Sequence, residues 1–208
     1  MSTVTSAALL GPSPYLSSGD SPFSGETFSW FYLEDFEDQQ LNTPGLSVNQ
    51  GIIYKGPSGD SVDIDNGVIN GNGGNATSIY DPTSMTFTFD TNILGGFPTR
   101  AGLVWTDGTP NSLVDFEAFD QNGASLGVLT ATLGDYSFNG TTAEDRFLGV
   151  SNAGGISKIF ISDRGSVNNI EVDHIQYGLA IVPLPASAWL LISGLIGLFG
   201  IRKNRNQM

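Results

Sequence analysis

Residues 85–90 read MTFTFD, with Met85, Phe87 and Phe89 alternating with Thr86 and Thr88. A period of two sends successive side chains to opposite faces of an extended strand. The three large apolar groups then face a core, and the two threonines face water. Working outward, the same alphabet of Thr, Val, Ile, Phe and Tyr recurs at 27–38 (TFSWFYLEDFED), 47–54, 101–106 (AGLVWT) and 114–120 (VDFEAFD). It returns at 125–133, 147–150, 156–162 and 170–177. Between these runs stand turn formers such as Asn42-Thr43-Pro44-Gly45 and Gly56-Pro57-Ser58-Gly59,. About nine or ten strands and no amphipathic helical period make an all-β sandwich the expected fold.

The chain has 208 residues, of which about 180 precede an apolar tail, enough for one domain with a proper core,. Its 27 glycines and 14% charged residues suit many turns and little exposed helix. All 21 acidic residues lie before residue 182, against five basic ones, a net charge of −16 over residues 1–181. So acidic a body excludes nucleic acid as a partner, because phosphate contacts need Lys and Arg. The absence of cysteine excludes disulfides, thiolate metal sites and Cys/His catalysis,.

Hydrolytic chemistry finds little support. His174 is the single histidine, no G-x-S-x-G elbow occurs, and IEVDHIQYG reads as a strand carrying a half-buried structural histidine,. Glycoside hydrolysis needs two carboxyls about 5–10 Å apart across a cleft. Glu34, Glu37, Asp115, Glu117, Glu144 and Asp145 are candidates, but Asp115 and Glu117 share their strand face with Phe119. The body is therefore expected to be non-catalytic, with a jelly-roll glycoside hydrolase as the lesser alternative.

Calcium is a better use for carboxylates, since it takes six to eight oxygens, often from Gly-rich loops. Asp60, Asp63, Asp65 and Asn66, followed by Gly67, offer such a loop without the EF-hand spacing,. Sugar binding needs exposed aromatics beside polar groups. Trp105, at a strand end in LVWTDG, is the expected ligand-binding residue, whereas Trp30 reads as core.

The last 27 residues, VPLPASAWLLISGLIGLFGIRKNRNQM, fall into three parts. Pro183 and Pro185 stop regular structure. Residues 188–201 then carry no charge, a run that reaches the ~20 residues of a bilayer crossing only if counted from Leu184,. Arg202, Lys203 and Arg205 form a basic cytoplasmic stop,. This order resembles the sorting signal of the PEP-CTERM group in its VPLPA form, matched by Val182, Pro183, Leu184, Pro185 and Ala186. The resemblance implies an exported bacterial protein, tethered by a membrane helix and processed by an exosortase-type protease-transpeptidase to the cell surface or extracellular matrix. Exported members of that group carry a signal peptide, whereas residues 1–23 show no basic, apolar leader,. The expectation is a true start upstream or a truncated chain.

The body also resembles the jelly-roll domains joined to such tails, through YLEDFED, SVDIDNG, AGLVWTDG, VDFEAFDQNG, TAEDRFLGVSN, GGISKIFIS and IEVDHIQYG. That likeness implies a lectin-like β-sandwich serving as a structural or adhesive module, with a calcium-braced carbohydrate-binding module as the alternative and extracellular polysaccharide as partner. It also implies a calcium tying first strand to last, here through Glu37 or Asp38 and Asp173. The expected organisation is a disordered lead-in (1–24), the sandwich (25–180), a motif linker (181–187), a transmembrane helix (188–201) and a basic tail (202–208).

Overall fold

In the computed structural model, which describes residues 7–55, 60–62, 77–81, 83–107, 111–134, 145–164 and 170–181, the MTFTFD alternation is realised as a strand. Met85, Phe87 and Phe89 are buried, while Thr88 is exposed. Twelve strands occur among the described residues: β1 (Ala8–Pro14), β2 (Phe28–Glu34), β3 (Leu46–Val48), β4 (Ile52–Lys55), β5 (Thr77–Asp81), β6 (Ser84–Phe89), β7 (Arg100–Asp107), β8 (Ser112–Asp120), β9 (Ser125–Leu133), β10 (Arg146–Ser151), β11 (Ile156–Asp163) and β12 (Ile170–Ala180). One short helix, α1 (Thr91–Leu94), is capped by the Asp90 side chain, which accepts from the Asn92 N–H.

The last eight strands divide between two sheets, changing sheet at every connection except the β8–β9 hairpin. One runs β5-β12-β7-β10 and the other β6-β11-β8-β9, all antiparallel, which is the jelly-roll order,. Earlier strands extend these sheets: β4 lies outside β5, β1 outside β10, and β3 outside β6. Strand β2 pairs with the distal half of β12, beyond the point where β5 ends. The expected 47–54 strand is two strands, because the chain leaves one sheet after Val48 and enters the other at Ile52.

Between the sheets lies the main core, including Leu103, Trp105, Phe116, Leu148, Ile159, Ile175 and Tyr177. Each such side chain contributes about 1.5–3 kcal/mol by leaving water. Strand β2 stops at Glu34 rather than at 38 for a local reason. The Glu34 carboxylate accepts from the N–H groups of Phe36, Asn42 and Thr43 and so folds 35–43 into a loop on its own strand end.

A second apolar cluster sits on the outer face of the larger sheet: Tyr15, Phe23, Val62, Val104 and Phe147. Val104 and Phe147 point outward because their neighbours Leu103, Trp105 and Leu148 point inward,. The Phe147 ring lies over two glycines, Gly102 and Gly149, which face each other across β7 and β10. A Cβ at Gly102 would stand 2.4 Å from the ring, and one at Gly149 2.6 Å.

For residues 7–24, this outer cluster corrects the reading of the 1–24 segment as disordered. Residues 8–14 form β1 against β10, and Tyr15 and Phe23 are almost wholly buried. The segment between them turns through a 3-10 helix (Ser18–Asp20), where Asp20 accepts from the N–H groups of Leu16 and Ser17. Two aromatic anchors on Phe147 hold it across the sheet, with ring centroids 6.1 and 5.4 Å away.

Candidate functional site

The 15–26 segment and strand β2 enclose a cleft of about 260 Å³ on the outer face of the larger sheet. Its lining combines aromatic groups (Tyr15, Phe23, Phe28, Phe31) with Glu26, Gln176 and the hydroxyls of Ser18, Ser21 and Ser24. On β2, Trp30 and Tyr32 pack inward against Tyr177, so Phe31 faces outward and is 38% exposed. A register shift at Leu179/Ala180 brings Phe28 to the outer cluster as well. The Phe28 and Phe31 rings lie 4.9 Å apart at 48°. Both rest on Gly178 of β12, where a Cβ would come within 2.7 and 2.9 Å of them. Only a residue without a side chain leaves room for this pair to lie down on the strand.

Strand β12 supplies the other wall through an irregularity. Its pairing with β7 shifts between Asp173 and Gln176, and His174 takes a left-handed φ of 42°. One extra residue in a strand moves the following side chains across the sheet. Val172, Ile175 and Tyr177 consequently enter the core, while Asp173, His174 and Gln176 join the side of Tyr15 and Val62.

A hydrogen-bonded chain fixes this wall. The Gln176 amide Nε2 donates to the Tyr15 hydroxyl at 2.9 Å, and that hydroxyl is also hydrogen-bonded to His174 Nδ1 at 3.1 Å,. Ser21 Oγ donates to Gln176 Oε1 at 2.5 Å and accepts from the Phe23 N–H at 3.1 Å. His174, expected to be half-buried, is only 3% exposed and ties the 15–26 segment to β12 through Tyr15. At the rim, Glu26 Oε1 accepts from Arg100 Nε at 2.7 Å, and Arg100 Nη1 donates to the Thr99 carbonyl.

The residues expected to act fare differently. Trp105 is fully buried in the core between the sheets, so it offers no binding face. The alternation in AGLVWT puts it on the inward register of Ala101 and Leu103, which outweighs its place beside a turn. Asp115 and Glu117 do share the outer face of β8, where Asp115 bonds Thr130 and Arg164. Asp60 and Asp173 are both buried along β12: Asp60 N–H donates to Glu171, and Asp173 accepts from the N–H groups of Val62 and His174. Asp38 accepts from Gln40 and Asn42 inside its own loop, and Glu37 lies in the same loop.

Among the described residues no group of three or more acidic or histidine side chains lies close enough together to hold a metal ion. Asp63, Asp65 and Asn66 lie outside the described residues, as do Val182, Pro183, Leu184, Pro185, Ala186, Arg202, Lys203 and Arg205. Among the described residues no helix is long and apolar enough to cross a membrane. Tyr15, Ser21, Glu26, Phe31 and Gln176, which build the cleft, were not singled out by the sequence as a site. The signal for Phe31 was its place between Trp30 and Tyr32, where alternation sends one aromatic outward,.

No protein-family model matches the chain, and no curated protein matches it. Among solved structures it is similar to a xylan-binding domain from carbohydrate-binding family 22, with 9% identity, a TM-score of 0.40, and coverage of 76% of this chain and 97% of that one. It is similar to the C-terminal family 22 carbohydrate-binding module of Clostridium thermocellum Xyn10B at 8% identity and TM-score 0.40, covering 76% and 99% of the two chains. An exo-beta-agarase follows at 16% identity and TM-score 0.33, with 74% of this chain covering 25% of that one. The jelly-roll assignment stands on the strand order itself and not on these similarities.

Proposed function

We propose that the chain is a non-catalytic, surface-displayed β-sandwich that binds a saccharide in the cleft between its 15–26 segment and β2. The observation that carries this reading is the juxtaposition of an aromatic pair, the partly buried Phe28 and the exposed Phe31, with Glu26 and the exposed serines Ser18 and Ser24. A sugar ring has an apolar C–H face and a periphery of hydroxyls, and an aromatic platform edged by acceptors suits both. Glu26 is the one carboxylate in the lining, and glycoside hydrolysis asks for two,. In this reading the VPLPA-type tail delivers the sandwich to the cell surface or matrix after processing by an exosortase-type enzyme.

Affinity electrophoresis against a panel of soluble polysaccharides tests the cleft. At least one polysaccharide is expected to retard the wild-type protein, and Phe31→Ala is expected to lose about tenfold or more in affinity, in line with about 1–3 kcal/mol for one stacking ring. Phe31 is partly exposed, so its removal leaves the core intact. Retardation by nothing in the panel overturns the binding reading. The tail is tested separately by intact mass and membrane fractionation in the native organism. Loss of the residues after the VPLPA motif with release from the inner membrane is expected, and full-length protein retained there overturns the sorting reading.

A further inference from the structure

We infer that the cleft selects a single non-anionic sugar ring and that Glu26, held by Arg100, is the residue that sets this selectivity. The inference rests on the saccharide reading above and adds the class of ligand.

Three observations lead to it. Size comes first: about 260 Å³ lies below the roughly 300–1,000 Å³ of pockets that take drug-sized ligands, which leaves space for one ring rather than a run of them,. The second is the inventory of polar groups. Gln176 already uses its oxygen on Ser21 and its nitrogen on Tyr15, and Ser21 both donates and accepts within the protein. Those groups shape the wall and do not face a ligand. The groups facing solvent are the hydroxyls of Ser18 and Ser24, both on exposed residues, and the half-buried carboxylate of Glu26.

The third observation is the chemistry of that carboxylate. Arg100 Nε occupies Oε1 and fixes the group in place from the rim, and among the described residues the lining itself includes no cationic side chain. An ionised carboxylate only accepts hydrogen bonds. Its partner must therefore bring donors, as the hydroxyls of a neutral sugar do. Arg100 is already engaged by Glu26, so a uronate or sulfated sugar brings a second anion that must compete with Glu26 for that one guanidinium,. The net charge of −16 on residues 1–181 acts in the same direction at longer range,.

The test compares wild type, Glu26→Gln, Glu26→Asp and Phe31→Ala on immobilised oligosaccharides of matched length, neutral hexose chains against an oligouronate. Wild type is expected to favour the best neutral chain over the uronate by about tenfold or more, with little gain from lengthening the chain beyond two residues. Glu26→Gln is expected to shrink that preference about tenfold, by losing neutral-sugar affinity and freeing Arg100 for the uronate carboxylate. Glu26→Asp keeps the charge and is expected to keep the preference, which separates selectivity from any loss of fold. An unchanged preference in Glu26→Gln, with Phe31→Ala still weakening binding, overturns the role of Glu26 and leaves the cleft reading standing. Affinity rising steeply with chain length overturns the single-ring part. No binding of any sugar by wild type overturns this inference together with the reading beneath it.

Discussion

Glu171→Gln is expected to stabilise the protein by about 3 kcal/mol near pH 8 and by almost nothing near pH 4. Glu171 lies on β12, is 7% exposed, and stands in register with Asp107 on β7. Burial pushes its carboxyl up from 4.5 to about 7, the negative charge of Asp107 adds to the rise, and the hydrogen bond from the Asp60 N–H opposes it. In the unfolded chain the group ionises near 4.5, so between that value and about 7 the folded state holds a proton that the unfolded state has released. Stability from this group is thus complete at low pH and is lost as pH rises through 7. The gap of about 2.5 pH units is worth about 3 kcal/mol at 1.36 kcal/mol per unit,. Glutamine is neutral throughout and still offers an oxygen to the Asp60 N–H, 2.8 Å from Glu171 Oε2 in the wild type. Urea denaturation of both proteins across this range measures the effect. Two stability curves that run parallel from acid to mild alkali would mean that Glu171 ionises in the fold as it does in the open chain.

The same strand explains what could and could not be read from the sequence. The alternation in MTFTFD, the boundaries of β9 and the general run of strands follow from a period of two, which is a local property,. The jelly-roll order does not follow from that period, since it is set by pairings between strands distant in the chain, and the sequence offered it only as a resemblance. The site did not follow, because each of its parts depends on a contact distant in the chain. His174 and Gln176 reach the outer face only because β12 carries one extra residue against β7, and no local pattern in IEVDHIQYG marks that shift. Alternation alone would have kept Val172, His174 and Gln176 together, whereas Val172 is in the core and the other two bond Tyr15.

Composition misled in a similar way at the N-terminal end. Residues 11–25 are rich in Ser, Gly and Pro, which is how a segment too polar to bury itself reads,. Tyr15 and Phe23 are the exceptions, and their value lies in Phe147 and Val104, more than 80 residues away in the chain. Two anchors with a local 3-10 turn between them suffice to order such a segment when a sheet already offers an apolar outer face. Trp105 shows the converse. Its neighbourhood suggested a ligand, but its register assigned it to the core.

Phe147→Ala is expected to cost about 3–5 kcal/mol and to remove saccharide binding together with it. The ring is fully buried, touches the rings of both Tyr15 and Phe23, and lies in the hollow that Gly102 and Gly149 leave on β10 and β7. Alanine there opens a cavity that the two glycines cannot fill, since neither has a side chain to move into it. The loss falls unevenly, because Phe147 contributes to the outer cluster and not to the core between the sheets. The 15–26 segment should therefore detach from the sheet before the sandwich unfolds. Hydrogen exchange distinguishes the two levels: the N–H of Phe23, bonded to Ser21 Oγ, should lose protection, while the β6–β11 and β8–β11 ladders keep most of theirs,. Phe116→Ala, in the core between the sheets, is the comparison: it costs a similar amount but should weaken both regions together,. If Phe147→Ala lowers stability by less than about 1 kcal/mol, the segment is not anchored through that ring. The cleft would then rest on the hydrogen bonds of Tyr15 and Ser21 to His174 and Gln176 and on the pairing of β1 with β10.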